Sequence, residues 1–183
     1  MNTRIIGYGA VSGLIIGLPM IAYMLASDGA PPLENGMLVG YTMMLIALSI
    51  VFLAVKRQRD VDGGGVIRFW PAFALGLGIS AVASLVYAVA WEVALALTGA
   101  DFMAAYSEHL LAQERAAGAS AARLAELRAE MDALARSYAN PLFRFPLTFI
   151  EMFPVGVLVS LVSAGLLRSP RFLPARRVAR QGS

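Results

Sequence analysis

The sequence predicts an all-α membrane protein: a four-transmembrane-helix bundle with an extramembrane helical hairpin between helices 3 and 4. Three observations predict it. The 183 residues are 58% hydrophobic and only 15% charged, with mean hydropathy +0.68, against roughly half apolar and a quarter charged in a soluble domain. The apolar residues fall in four blocks, each near the ~20 residues that a helix needs to cross hydrocarbon. One polar stretch rich in Ala, Glu, Arg and Leu, residues 101–140, separates the third block from the fourth. An ordinary water-soluble enzyme is excluded, and residues 1–183 read as a single membrane domain. With no Cys there is no disulfide framework, no lipid-anchored cysteine and no thiolate metal site.

The first span covers about 5–26. Ser27-Asp28-Gly29 and Pro31-Pro32 follow it and stop the helix. Its apolar run exceeds the roughly 7 to 15 residues of a secretory signal core, and Met24 and Ala26 make a poor cleavage site, so it is expected to stay uncleaved. The second span covers about 37–55 and the third about 70–97. Trp70 and Trp91 stand about 31 Å apart along a helix, close to the hydrocarbon thickness, and read as the two aromatic belts. The fourth span, about 145–167, begins after Asn140-Pro141 and contains Pro154. That proline is tolerated if a neighbour satisfies the Ile150 carbonyl it frees.

Orientation follows from the basic residues, because short loops rich in Lys and Arg stay in the cytoplasm. Arg4, Lys56, Arg57, Arg59, Arg68, Arg168, Arg171, Arg176, Arg177 and Arg180 fall on one side, with only Asp60 and Asp62. The other side carries five arginines against eight acids. Both termini are therefore expected in the cytoplasm of a bacterial inner membrane, with the 101–140 insert outside.

The insert reads as two helices with a sharp turn at Gly118-Ala119-Ser120. In the second, Leu124, Leu127, Met131, Leu134 and Tyr138 recur at 3, 4, 3 and 4, a coiled-coil seam, with Ser120 as N-cap. Phe102 or Met103, Tyr106 and Leu110 supply the facing stripe. Two arrangements fit: a hairpin closing on itself, or an amphipathic face that docks a partner. His109, the lone histidine, has no second His and no Cys nearby and reads as a solvated helix residue.

Small residues recur at every fourth position. Gly9, Gly13 and Gly17 mark the first span and Gly76, Ser80, Ser84 and Ala88 the third. Gly36 with Gly40, and Gly156 with Ser160 and Ala164, give the second and fourth spans similar grooves, the signal for close helix contact. Glu92 and Glu151 are carboxylates inside spans, which are costly there and tend to mark a pathway or a paired site. In one arrangement they line an outward cavity with Tyr87, Tyr41 and Tyr23 that takes a proton, cation or small polar ligand. In the other, Glu92 reaches the headgroups beside Trp91, and Glu151 pairs with Arg144 or bonds a tyrosine.

Other motifs fail on inspection. Gly63-Gly64-Gly65 has no Gly-Lys-Ser/Thr after it and reads as a flexible linker. Asp60-Val61-Asp62 begins like a calcium loop, but Gly64 and Pro71 stand where ligands are needed. No hydrolase or metalloprotease signature occurs. No catalytic residue, metal, cofactor or nucleic-acid partner is expected. The basic tail 168–183, with Arg171, Arg176, Arg177 and Arg180, either binds anionic lipid or anchors the topology.

The strings GMLVGYTMMLIALSIVF, KRQRD, GGGVIRF, DFMAAYSEHLL, AGAS, YANPLF and TFIEMFPVGVLVSLVSA resemble the bacterial integral membrane family catalogued as domain of unknown function 4199, over nearly the whole chain. The resemblance implies four membrane helices with an extramembrane insert before the last, and places Glu151 in the Glu-x-x-Pro-Val-Gly string. It implies no activity, substrate or catalytic residue. The expectation is a non-enzymatic structural or interaction component of the membrane, contacting lipid and either itself or a larger membrane complex through the insert. The competing class is a small transporter or ion-conducting unit using Glu92 and Glu151.

Overall fold

The computed structural model describes residues 2–27, 36–99 and 101–174. Among these, the chain forms six α-helices and no strand: α1 (Asn2–Ala26), α2 (Gly36–Arg57), α3 (Phe69–Thr98), α4 (Phe102–Ala116), α5 (Ala121–Tyr138) and α6 (Pro141–Leu167). A π-helical turn, Gln58–Asp62, continues α2. Four helices are long and apolar enough to cross a membrane: α1, α2 with its π turn, α3 and α6. The fourth starts a turn earlier than the hydropathy suggests. Asn140 caps it by accepting from the Leu142 N–H at 3.0 Å, and Pro141 takes the first helical position, where its missing N–H costs nothing.

Helix α3 is the axis of the molecule, and small residues set the distance of its neighbours. A Cβ added at Gly9 would lie 2.5 Å from the Val82 Cβ, one at Gly13 2.6 Å from Val86, and one at Gly17 2.7 Å from Ala90. The two rows advance together, so α1 runs parallel to α3. On another face of α3 the order reverses. Gly76 faces Ser160 and Ser80 faces Gly156, so α6 runs antiparallel. The Ser80 hydroxyl donates to the Gly156 carbonyl at 3.1 Å and lies 3.2 Å from the Ser160 hydroxyl, which itself donates to Gly156 at 2.7 Å. Ser12 on α1 donates to the Ala47 carbonyl of α2 at 2.6 Å. Leu48, Val51, Val55, Ile79, Met152 and Leu167 fill the space between.

The small-residue rows of α3 and α6 therefore meet each other, while the glycine row of α1 receives Val82, Val86 and Ala90 of α3; two positions differ. Gly40 has nothing within 4 Å of a would-be Cβ, so the second span has no groove there. Ser84 is buried, but its hydroxyl finds no hydrogen-bond partner among the described residues. Spacing alone marks a surface where a neighbour could approach closely; only the neighbour's position decides whether one does.

The linker expected at Gly63-Gly64-Gly65 is instead a built turn. The Gly63 N–H donates to the Gln58 carbonyl at 3.0 Å, closing the π turn, and a Cβ at Gly63 would lie 2.2 Å from the Val66 carbonyl oxygen. Gly64 and Gly65 take φ of +59° and +94°, where side chains are strained.

In the insert, α4 is capped by Asp101 and α5 by Ser120, and Gly118 turns between them with φ +82°. The seam of α5 faces inward as its spacing requires: Leu127 is buried and Leu124, Met131, Leu134 and Tyr138 are half-buried. The α4 side differs from the expected stripe. Met103 and Leu111 are buried and Leu110 half-buried, while Tyr106 is exposed and stacks on Phe102. Positions 103 and 111 are eight apart and hence on one face, which Tyr106 flanks.

Candidate functional site

Trp91, Glu92, Tyr138 and Arg144 gather where α3, the insert and α6 meet. A 30-residue helix such as α3 is about 45 Å long, ~15 Å more than a hydrocarbon core. The insert meets its last two turns, at Trp91. Trp91 is half-buried there and is no free belt residue. Its indole N–H donates to the Tyr138 hydroxyl at 2.6 Å, and its ring meets Phe102 edge-on at 4.9 Å. Trp70, by contrast, is largely exposed at the start of α3.

Glu92, one position on, is held by Arg144 of α6. The Arg144 Nε donates to one carboxylate oxygen at 2.7 Å and Nη2 to the other at 2.5 Å, a two-pronged fork. Arg144 also donates through Nη1 to the Tyr138 carbonyl at 3.2 Å, and its guanidinium lies 5.4 Å from the Tyr138 ring centroid. Burial pushes the Tyr138 phenol up to about 12, against the opposing pull of the Trp91 N–H and Arg144. One cluster thus ties three elements together: Trp91 and Glu92 from α3, Phe102 and Tyr138 from the insert, and Arg144 from α6.

This corrects the expected pairing of Arg144 with Glu151. Seven residues along a helix is about 10 Å, beyond easy reach, whereas Glu92 lies directly across the α3–α6 contact. Glu151 is exposed on α6, beside buried Met152, and its carboxylate makes no hydrogen bond or ion pair among the described residues. Glu92 is thus fixed in an ion pair with Arg144, Glu151 is exposed yet within electrostatic reach of the buried Tyr87 phenol of α3, and Tyr41 and Tyr23 are exposed on α2 and α1. His109 sits 3.0 Å from Gln113 in α4, and no group of potential metal ligands occurs among the described residues.

The opposite end holds a second cluster that sequence reasoning missed. The side chain of Arg59, in the π turn, is fully buried. Its Nε donates to Asp60 at 2.7 Å, and its two terminal nitrogens donate to the Phe172 and Leu173 carbonyls at 2.8 and 2.5 Å. Phe172 in turn meets Phe52 edge-on. The segment after α6 is thereby fastened to the end of α2. Lys56 also pairs with Asp60, and Arg4 at the start of α1 pairs with Asp62. The two ends of the described chain thus meet the end of α2 at one end of the helices. Arg171 is exposed there; Arg176, Arg177 and Arg180 lie outside the described residues.

The matched span is as long as the helical core itself. The family described as a protein of unknown function, DUF4199, matches residues 8–169. The chain belongs to that family. No curated protein and no solved structure matches it. For this DUF4199 chain the functional argument therefore rests on its own geometry, and the Glu92–Arg144 fork is the part of it most directly measurable. A double-mutant cycle with Glu92→Gln and Arg144→Met is expected to return a coupling of roughly 2 kcal/mol in thermal unfolding, the range for hydrogen bonds to charged groups. Additive single effects would mean that the two side chains do not pair.

Proposed function

We propose that this DUF4199 chain is a non-catalytic structural or interaction component of a bacterial inner membrane. In this reading the four long helices form a lipid-embedded bundle with both termini in the cytoplasm. The 101–140 segment is an extramembrane helical hairpin outside, offering its polar surface to a second copy or a larger membrane complex. The observation that carries the reading is the Glu92–Arg144 fork. The acid that faces α6 is already neutralised by a fixed guanidinium, so it is not free to carry a proton or cation between the helices. The interlocked Gly76, Ser80, Gly156 and Ser160 contact favours a close-packed interior over a lined path.

A conducting role has one specific observation in its favour. Glu151 stands unpaired on an apolar helix, and a carboxylate in that setting is costly. Because it is exposed in the single chain, transport through it requires a second copy to enclose it. The two readings separate in vesicles that contain the full chain and a trapped pH-sensitive dye. With an imposed proton gradient, the structural reading expects relaxation no faster than in protein-free vesicles. A leak that Glu151→Gln abolishes would overturn it in favour of conduction.

A further inference from the structure

Helix α6 has two faces. One sends Met152, Gly156, Ser160, Ala164 and Leu167 into the bundle, where they are buried. The other carries Leu147, Glu151, Pro154, Leu158, Leu161 and Gly165, all exposed. These six follow one another at spacings of 4, 3, 4, 3 and 4, the repeat by which one helix seats against another. A Cβ at Gly165 would meet nothing within 4 Å, so the chain itself leaves this seam open.

The one ionisable member of the seam selects what covers it. Lipid tails match the leucines, being as apolar as they are. They offer nothing to Glu151, whose carboxyl has no hydrogen bond or ion pair among the described residues and stands within a span. Pro154 adds to the need, because it has no N–H for the Ile150 carbonyl one turn back. Thr42 and Ser49, exposed on α2, differ: they donate within their own helix, to the Leu38 and Ile46 carbonyls at 2.7 and 2.6 Å. The occupant of the α6 seam must therefore be apolar along most of its length and hydrogen-bonding at the depth of Glu151. A second copy of the chain is both. Two copies with the same topology, related by a twofold axis along the membrane normal, set each residue of the seam opposite itself. Leucine then meets leucine, and a carboxyl that carries its proton is at once donor and acceptor, so two of them bond each other. A single polar residue in an apolar seam also fixes the register of paired helices. We propose that the chain forms a parallel homodimer in the membrane through this face of α6, with Glu151 hydrogen-bonded to the partner subunit's Glu151.

The proposal rests on the membrane reading, and its test keeps the two apart. In native membranes, oxidation of Leu158→Cys is expected to give a disulfide-linked dimer, and oxidation of Ile46→Cys, exposed on α2, is expected to give none. The full chain, labelled through Ala117→Cys, is then diluted with lipid in vesicles, and energy transfer between copies reads the dimer. Glu151→Leu is expected to weaken dimerisation about tenfold, the scale of a hydrogen bond between membrane helices. Glu151→Gln should stay close to the parent, since an amide both donates and accepts. Neither side chain has a hydrogen-bonding partner in its own chain to lose, and the disulfide test does not depend on them. No dimer from Leu158→Cys, equal crosslinking at 158 and 46, a crosslink to a different protein, or unchanged energy transfer in Glu151→Leu overturns the proposal while the membrane reading stands. A chain that alkaline carbonate strips from the membranes overturns both.

Discussion

Gly13→Leu is expected to wedge α1 off α3 and lower stability by about 3 kcal/mol, at the upper end of the usual cost of overpacking a close-packed interface. A Cβ at Gly13 would meet the Val86 Cβ at 2.6 Å and the Ala83 carbonyl oxygen at 2.8 Å. The second contact is with backbone, so no rotamer change relieves it. Gly7→Leu on the same helix is the control. Gly7 has nothing within 4 Å of a would-be Cβ, and leucine is a better helix former than glycine, so that variant is expected to be neutral or slightly stabilising. Thermal unfolding in detergent reads both. Equal effects at the two positions would mean that α1 does not pack on α3 through its glycine row.

Arg59→Met is expected to cost a comparable amount, about 3 kcal/mol, for a different reason. It leaves Asp60 with Lys56 alone and removes the donors from the Phe172 and Leu173 carbonyls. The effect should be local as well as global. Amide exchange at residues 169–174 is expected to rise well before that of α6, because the segment loses its tie to the π turn. Arg59→Lys should recover only part, since one ammonium cannot reproduce a fork that serves a carboxylate and two carbonyls. Unchanged exchange in Arg59→Met would show that the segment is held by Phe172 on Phe52 instead.

Much of the architecture was legible in the sequence because it is written in local terms. Long apolar blocks, Ser120 as a cap, and the spacing from Leu124 to Tyr138 each depend on residues within a few turns of one another. The site was far less legible, because it depends on pairs remote in sequence. Glu92 and Arg144 are 52 positions apart, whereas Glu151, the acid that Arg144 does not hold, is only seven away in sequence. Arg59 was hidden differently. In the string KRQRD nothing distinguishes it from Lys56 or Arg57, and only the π turn, which rotates it inward, makes it the buried member. Gly63 carried a signal that was read too weakly: three consecutive glycines can be a tether, but here a carbonyl fills the space of a side chain. Gly40 shows the converse, a small residue with no neighbour to receive.

In the proposed reading lipid surrounds the four long helices, and their basic end faces the cytoplasm. Because the chain contains no cysteine, single cysteines report without background. Ala117→Cys lies exposed at the far tip of α4, and Val61→Cys is exposed in the π turn. In intact cells, a membrane-impermeant maleimide is predicted to label the cysteine at 117 and to reach the one at 61 only after the membrane is permeabilised. Labelling of position 61 alone from outside would invert the topology, and equal labelling of both in a chain washed free by alkaline carbonate would contradict membrane insertion itself.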